Sequence, residues 1–148
     1  MEPFAAGIIP WVEDNFDKYF LLGLEKSNNK WSGFVGNCQE NESKVDTAVR
    51  EFNEETSKCF EKKLLFFQSC CLNQDPIEDV TTSGNKVFIW FIKCNKILSL
   101  DDFYINQCLL TDQHLKEKVY LKWFSLNDIK HNNNILYKLK CKILENFK

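Results

Sequence analysis

Neither sign of charge prevails in this chain: 19 Lys and Arg face 21 Asp and Glu across 148 residues. A general attraction to nucleic acid needs a strongly basic face, which such a balance does not supply. Histidine is scarce, His114 and His131 only, and none of the seven cysteines (Cys38, Cys59, Cys70, Cys71, Cys94, Cys108, Cys141) stands in a Cys-x-x-Cys pair. A zinc site therefore lacks its usual paired ligands, and Cys/His catalysis has no local signature. An odd count of cysteines without a secretory signal reads as reduced, buried thiols in a cytoplasmic protein. No apolar run is long enough to cross a bilayer, so no membrane span is expected. Apart from Asn132–Asn134 there is no low-complexity segment, and there is no internal repeat. One domain, 1–148, long enough to bury a core without staples, is the expected organisation.

The apolar pattern predicts the elements. Phe4 to Val12 and Lys18 to Leu24 read as strands joined by a hairpin turn at Glu13-Asp14-Asn15, which puts Pro10 near an edge or a bulge. Asn28-Asn29 breaks the chain before a short extended piece, Trp31 to Val35. Ser43, followed three residues later by Asp46, resembles a capping box, so a helix is expected from about Lys44. Val45, Ala48, Val49 and Phe52 give that helix an apolar stripe. Leu64 to Leu72 and Val87 to Lys93 read as a pair of strands, with Asn73 to Asn85 a loop long enough to be a substrate-facing flap. An irregular stretch is expected from Asp101-Asp102, and Val119 to Phe124 reads as a late strand. Ser125 is placed to cap a short helix through Ile129, and Leu136, Leu139, Ile143 and Phe147 recur at helical spacing. Lys116, Lys118, Lys122, Lys130, Lys138, Lys140 and Lys142 crowd the C-terminal third and read as a solvated surface.

Within the first predicted helix the chain runs Arg50-Glu51-Phe52-x-Glu54-Glu55, with Glu42 and Gly36 upstream. Residues at i, i+3 and i+4 share a helix face, so Glu51, Glu54 and Glu55 repel one another by a few tenths of a kcal/mol per pair. Something positive has to compensate. Arg50 reaches Glu54 at i+4, and hard cations such as Mg²⁺ take carboxylate, water and phosphate oxygens.

The segment Gly36-x5-Glu42-x7-Arg50-Glu51-Phe52-x-Glu54-Glu55 resembles the signature of the Nudix pyrophosphohydrolases, Gly-x5-Glu-x7-Arg-Glu-U-x-Glu-Glu-x-Gly-U, where U is bulky and apolar. Seven of the nine positions match; the closing Gly is Ser57 and the last apolar position is Lys58. Ser lacks glycine's easy access to positive φ, so a distorted turn after the helix is expected. Trp31-Ser-Gly33-Phe34-Val-Gly36 is similar to the Trp-Asn-Gly-Phe-Gly-Gly segment of Nudix enzymes that hydrolyse oxidised purine nucleoside triphosphates. Ser32 stands in place of the Asn, Val35 in place of a Gly, and no paired aspartates follow a Trp near the C-terminus.

The resemblance implies an α/β/α sandwich around a mixed β-sheet. It implies a Mg²⁺ or Mn²⁺ cofactor held by Glu51, Glu54, Glu55 and the Gly36 carbonyl. It implies catalytic roles for Glu54, Glu55 and Arg50, with the general base open between the two glutamates and Arg50 orienting the carboxylates. Trp31, Phe34 and Glu42 are the candidate substrate contacts, with Glu42 also expected to pair with Arg50. The implied reaction is cleavage of a diphosphate linkage in a nucleoside diphosphate derivative: a nucleoside triphosphate, dinucleotide, nucleotide sugar or capped nucleotide, capped RNA included. Whether two copies associate is left open. Two other readings stand beside it: a Nudix-like module that binds a nucleotide or RNA end with little turnover, and a protein-interaction domain using the lysine-rich C-terminal helix.

Overall fold

The computed structural model of the chain describes residues 2–109 and 117–147; His114 and Lys116 lie outside them. Seven strands form one mixed sheet: β1 (Phe4–Asp14), β2 (Asp17–Glu25), β3 (Trp31–Ser32), β4 (Phe34–Asn37), β5 (Ile77–Val80), β6 (Lys86–Lys93) and β7 (Lys118–Ser125). The order along the sheet is β3-β2-β1-β6-β5, with β4 also on β1 and β7 also on β2; β1 and β6 run parallel and the other strand pairs antiparallel. The helices are α1 (Lys44–Glu55), α2 (Leu64–Leu72), α3 (Asp101–Leu109), α4 (Leu126–His131) and α5 (Tyr137–Asn146), with a 3₁₀ turn over Glu61–Lys63.

Strict alternation in the central strands makes two cores. Ile8, Phe88, Trp90 and Ile92 face one side of the sheet with Ala48 and Phe52 of α1 and Phe67 of α2. Ile9, Ile89 and Phe91 face the other side with Ile129 of α4 and Leu139 and Ile143 of α5. Period-2 side chains on strands buried on both faces require cover on both faces, and the result is the expected α/β/α sandwich. Phe52 anchors the first core: its ring meets Phe34 edge-on at 5.5 Å, stacks on Phe60 at 5.7 Å and lies 4.7 Å from Phe67. Among the described residues, no helix is long and apolar enough to cross a membrane.

Four local expectations are corrected. Leu64 to Leu72 is helix α2. A short, mostly apolar run does not distinguish strand from helix, and here Phe67 and Cys71, one turn apart, are buried while Leu65 and Leu72 are exposed. The partners of β6 are accordingly β1 and β5, and the segment expected to be a flap carries the edge strand β5. Asp101-Asp102 opens helix α3, where two carboxylates suit the positive end of the helix dipole. Pro10 lies in the central strand, at the point where the partner on one side of β1 changes from β4 (Ala5–Ile8) to β2 (Trp11–Asp14). Thiol burial is also less complete than expected: Cys71 and Cys94 are buried, Cys108 is exposed and the others lie between.

The β1–β2 hairpin turns through Asn15 and Phe16, both at positive φ (49 and 69°), the mark of a type I′ turn. Phe16 is fully exposed there, so its side chain offers no packing to offset a left-handed backbone. Phe16→Gly is expected to stabilise the protein by about 0.5–1 kcal/mol, the strain relieved exceeding the freedom gained by the unfolded chain. Urea unfolding of the two proteins measures it.

Candidate functional site

Ser43 starts α1 as expected: its hydroxyl accepts from the Asp46 amide at 3.1 Å. The buried stripe, Ala48 and Phe52 with Val45 and Val49 half-buried, fixes the rotation of the helix, so the acidic side turns toward β4 and the cleft beside it. Gly36 of β4 backs directly onto Glu51. A methyl group on its α-carbon would overlap the Glu51 carboxylate, so only glycine lets strand and acid approach this closely.

One guanidinium organises the acids. Arg50 Nε donates to Glu42 Oε2 at 2.8 Å, and Nη2 donates to Glu42 Oε1 and to the Asn37 carbonyl, both at 2.9 Å. Nη1 donates to Glu51 Oε1 at 2.8 Å and Glu54 Oε2 at 3.3 Å. The Arg50 fork, aided by the Gln39 amide and the Thr47 hydroxyl, lowers the Glu42 carboxyl from 4.5 to about 2. Its hydrogen bonds to Glu42, and next to Glu51, drive Arg50 further above its ordinary range. Glu51 goes the other way, because loss of water outweighs the attraction of Arg50.

Glu55 faces a different cation. It is 5 % exposed, and its Oε1 lies 3.6 Å from Nζ of Lys118 on β7, a lysine only 1 % exposed. Lys118 also lies 3.6 Å from Glu25 Oε1 and donates to the Ser32 hydroxyl, which in turn donates to Glu25 Oε1 at 2.6 Å. Gly23 leaves the room its stem needs, since a Cβ there would sit 2.8 Å from Lys118 Cδ. Burial raises the Glu55 carboxyl against the pull of Lys118. Its second oxygen, Oε2, is buried without a hydrogen-bond partner. Glu55 and Lys118 form part of the wall of an open cleft of about 610 Å³, together with Glu25, Lys26, Val35 and Glu117. A smaller apolar hollow of about 200 Å³ shares Glu25 and Val35 with it and carries Lys138 and Lys142.

The donors suit a divalent cation in kind: hard carboxylate oxygens, one of them buried and unpartnered. In this conformation they are divided between Arg50 and Lys118, and among the described residues no three acidic, His or Cys side chains gather on one point.

The expected substrate contacts are placed elsewhere. Phe34 has no exposed surface and belongs to the core against Phe52. Trp31 is half-buried, its ring edge-on to Phe124 at 4.9 Å, and does not line the cleft. Both Glu42 oxygens accept from Arg50, the pairing expected of it.

Lys118, read from sequence as one of many solvated lysines, is buried at the centre of the site. Alternation back from Trp123 and Leu121 points to Val119 as the inward residue. The register slips there, with Leu24 opposite Tyr120 but Glu25 opposite Lys118, and the extra residue turns Lys118 inward. The residue order carries no local signal of that slip.

The turn after α1 is regular where distortion was expected. The Lys58 amide donates to Asn53 O at 2.8 Å and the Ser57 amide to Glu54 O at 3.0 Å, a complete Schellman pair, with Ser57 at φ 52° and Lys58 at φ 59°. Two side chains of α3 hold it: Asn106 Nδ2 donates to the Ser57 carbonyl at 2.7 Å and Gln107 Nε2 to the Ser57 hydroxyl at 2.6 Å.

No protein-family model and no curated protein matches the chain. Solved structures do. A Nudix-family hydrolase from Clostridium perfringens superposes with a TM-score of 0.61 at 21% identity, over 98% of this chain and 95% of that one. An Ap4A hydrolase from C. elegans gives 0.59 at 20% identity, over 95% and 96%. The Nudix domain of Shewanella oneidensis NrtR, solved with ADP-ribose, gives 0.59 at 11% identity, over 98% and 85%. At these identities the likeness establishes the fold: the chain has the Nudix architecture.

The Arg50–Glu42 pair makes a prediction. The folded-state pKa of Glu42 lies below its unfolded value, so its contribution to stability is complete above pH 4.5 and is lost as pH falls toward 2. The difference in Tm between the wild type and Glu42→Gln, followed by circular dichroism down the pH scale, is expected to narrow across that window.

Proposed function

We propose that this chain is a divalent-cation-dependent Nudix pyrophosphohydrolase that cleaves a diphosphate linkage in a nucleoside diphosphate derivative. The observation that carries the reading is the Nudix architecture, which sets the Arg50-Glu51-Phe52-x-Glu54-Glu55 turn beside an open cleft with a buried, unpartnered carboxylate oxygen. Glu51, Glu54 and Glu55, with the Gly36 carbonyl, would hold Mg²⁺ or Mn²⁺. Such an ion, when bound, neutralises the diphosphate and lowers the pKa of water.

The chain's own residues do the rest. Arg50 fixes the carboxylates of Glu51 and Glu54 in orientation. Glu54, at 28% side-chain exposure the most accessible of the acids Arg50 holds, and Glu55 are the two candidates to take a proton from attacking water. Lys26 and Lys118 add positive charge to the cleft wall where a polyanion would lie. The apolar hollow rimmed by Lys138 and Lys142 suits the non-phosphate part of a nucleotide.

A second reading, a Nudix-fold module that binds a nucleotide or an RNA end without cutting it, is favoured by one observation: an ammonium group already sits against Glu55. One experiment separates the two. Nucleoside triphosphates, sugar nucleotides, dinucleoside polyphosphates and capped RNA are offered with Mg²⁺ or Mn²⁺ to the wild type and to Glu54→Gln. Release of a nucleoside monophosphate and a second phosphorylated product, reduced about 10²-fold or more in the variant, is expected. Binding without turnover in both proteins would favour the module, and neither binding nor turnover would defeat both readings.

A further inference from the structure

We propose that Lys118 is a built-in counter-cation of the metal site, competing with a divalent ion for Glu55 and thereby setting how tightly that ion is held. The inference rests on the hydrolase reading for its meaning, but its test does not use hydrolysis.

Four observations carry it. Lys118 is buried as completely as a core residue, so its charge cannot be satisfied by water. Its ammonium group lies 3.6 Å from Glu55 Oε1 and 3.6 Å from Glu25 Oε1, and donates to Ser32 between β2 and the cleft. Glu55 keeps its other oxygen, Oε2, buried and without a partner. Finally, the position is built: the register slip in β7 turns Lys118 inward, Gly23 clears the path of its stem, and the Phe34 ring lies 5.8 Å beneath its ammonium.

Glu55 therefore has one oxygen neutralised from within and one available. A divalent ion at Oε2 gains the attraction of Glu55 but meets the field of the ammonium, in a setting where charge is weakly screened. Glu25 moderates this by sharing Lys118 from the opposite side. Removing the ammonium must strengthen ion binding. Removing Glu25 must weaken it, because Lys118 then bears more fully on Glu55.

The test is titration of the full chain with Mn²⁺ alone, reading free Mn²⁺ by electron paramagnetic resonance. Lys118→Met and Lys118→Gln are expected to bind Mn²⁺ roughly tenfold more tightly than the wild type. Glu25→Gln, at a position that is partly exposed, is expected to bind it more weakly, and to lose that effect when combined with Lys118→Gln. Lys118→Gln keeps a hydrogen-bonding stem, so the test survives if the Met variant does not fold. Unchanged or weaker Mn²⁺ binding in Lys118→Gln would overturn the proposal, as would a Glu25→Gln effect that persists without Lys118. Tighter binding in a protein that cuts no substrate would sustain this inference while the hydrolase reading fell. Absence of Mn²⁺ binding in every variant would sink both.

Discussion

A helix that carries acids at i, i+3 and i+4 on one face is unfavourable by itself, and in this chain a single arginine makes it tenable. All of the Arg50 nitrogens are engaged, with Glu42, Glu51, Glu54 and the Asn37 carbonyl as acceptors. Hydrogen bonds to charged groups are the stronger kind, about 1.5–3 kcal/mol each, and a planar fork delivers several with little loss of freedom. The same group ties the end of β4, the loop after it and α1 into one body. Among the described residues, the buried side-chain atoms left without a partner are Glu55 Oε2, on the far side of the acidic turn, and Asn53 Oδ1 of the same helix.

That far side is served by a different part of the sheet. Lys118, Glu25 and Ser32 come from β7, β2 and β3, strands that meet only because β2 pairs with both neighbours. The two cations are unlike in consequence. Arg50 keeps 22% of its side chain exposed and holds carboxylates in place, whereas Lys118 is enclosed and is balanced by the acids around it. The cleft opens beside a cluster in which five carboxylates, Glu25, Glu42, Glu51, Glu54 and Glu55, face two cations, Arg50 and Lys118.

Much of this was legible in the residue order. Spacing alone placed α1 and its cap, because Ser43 and the Val45-Ala48-Val49-Phe52 stripe obey a 3.6-residue period, and runs rich in apolar and β-forming residues placed β1, β2 and β6. The motif located the acidic turn and its arginine. Leu64 to Leu72 misled because a short run, mostly apolar and broken only by Gln68 and Ser69, has no clear period to read. Phe34 and Trp31 misled because an aromatic next to a motif is the same letter whether it packs inward or outward. Lys118 was hidden for a geometric reason: one extra residue in β7 reverses which side chains face in, and no local pattern announces it. Ser57 concealed a regular turn because its support comes from Asn106 and Gln107, about fifty positions later in the chain.

The sheet ends on β5, a strand of only four residues that carries Glu78 on one face and Asp79 on the other. An open strand edge is a template on which another molecule can add a strand of its own, and length and neutral side chains make that easier. With so short a rim, and with repelling carboxylates along it, a second chain finds little to pair with. The protein can expose backbone donors and acceptors there without inviting fibrillar self-association.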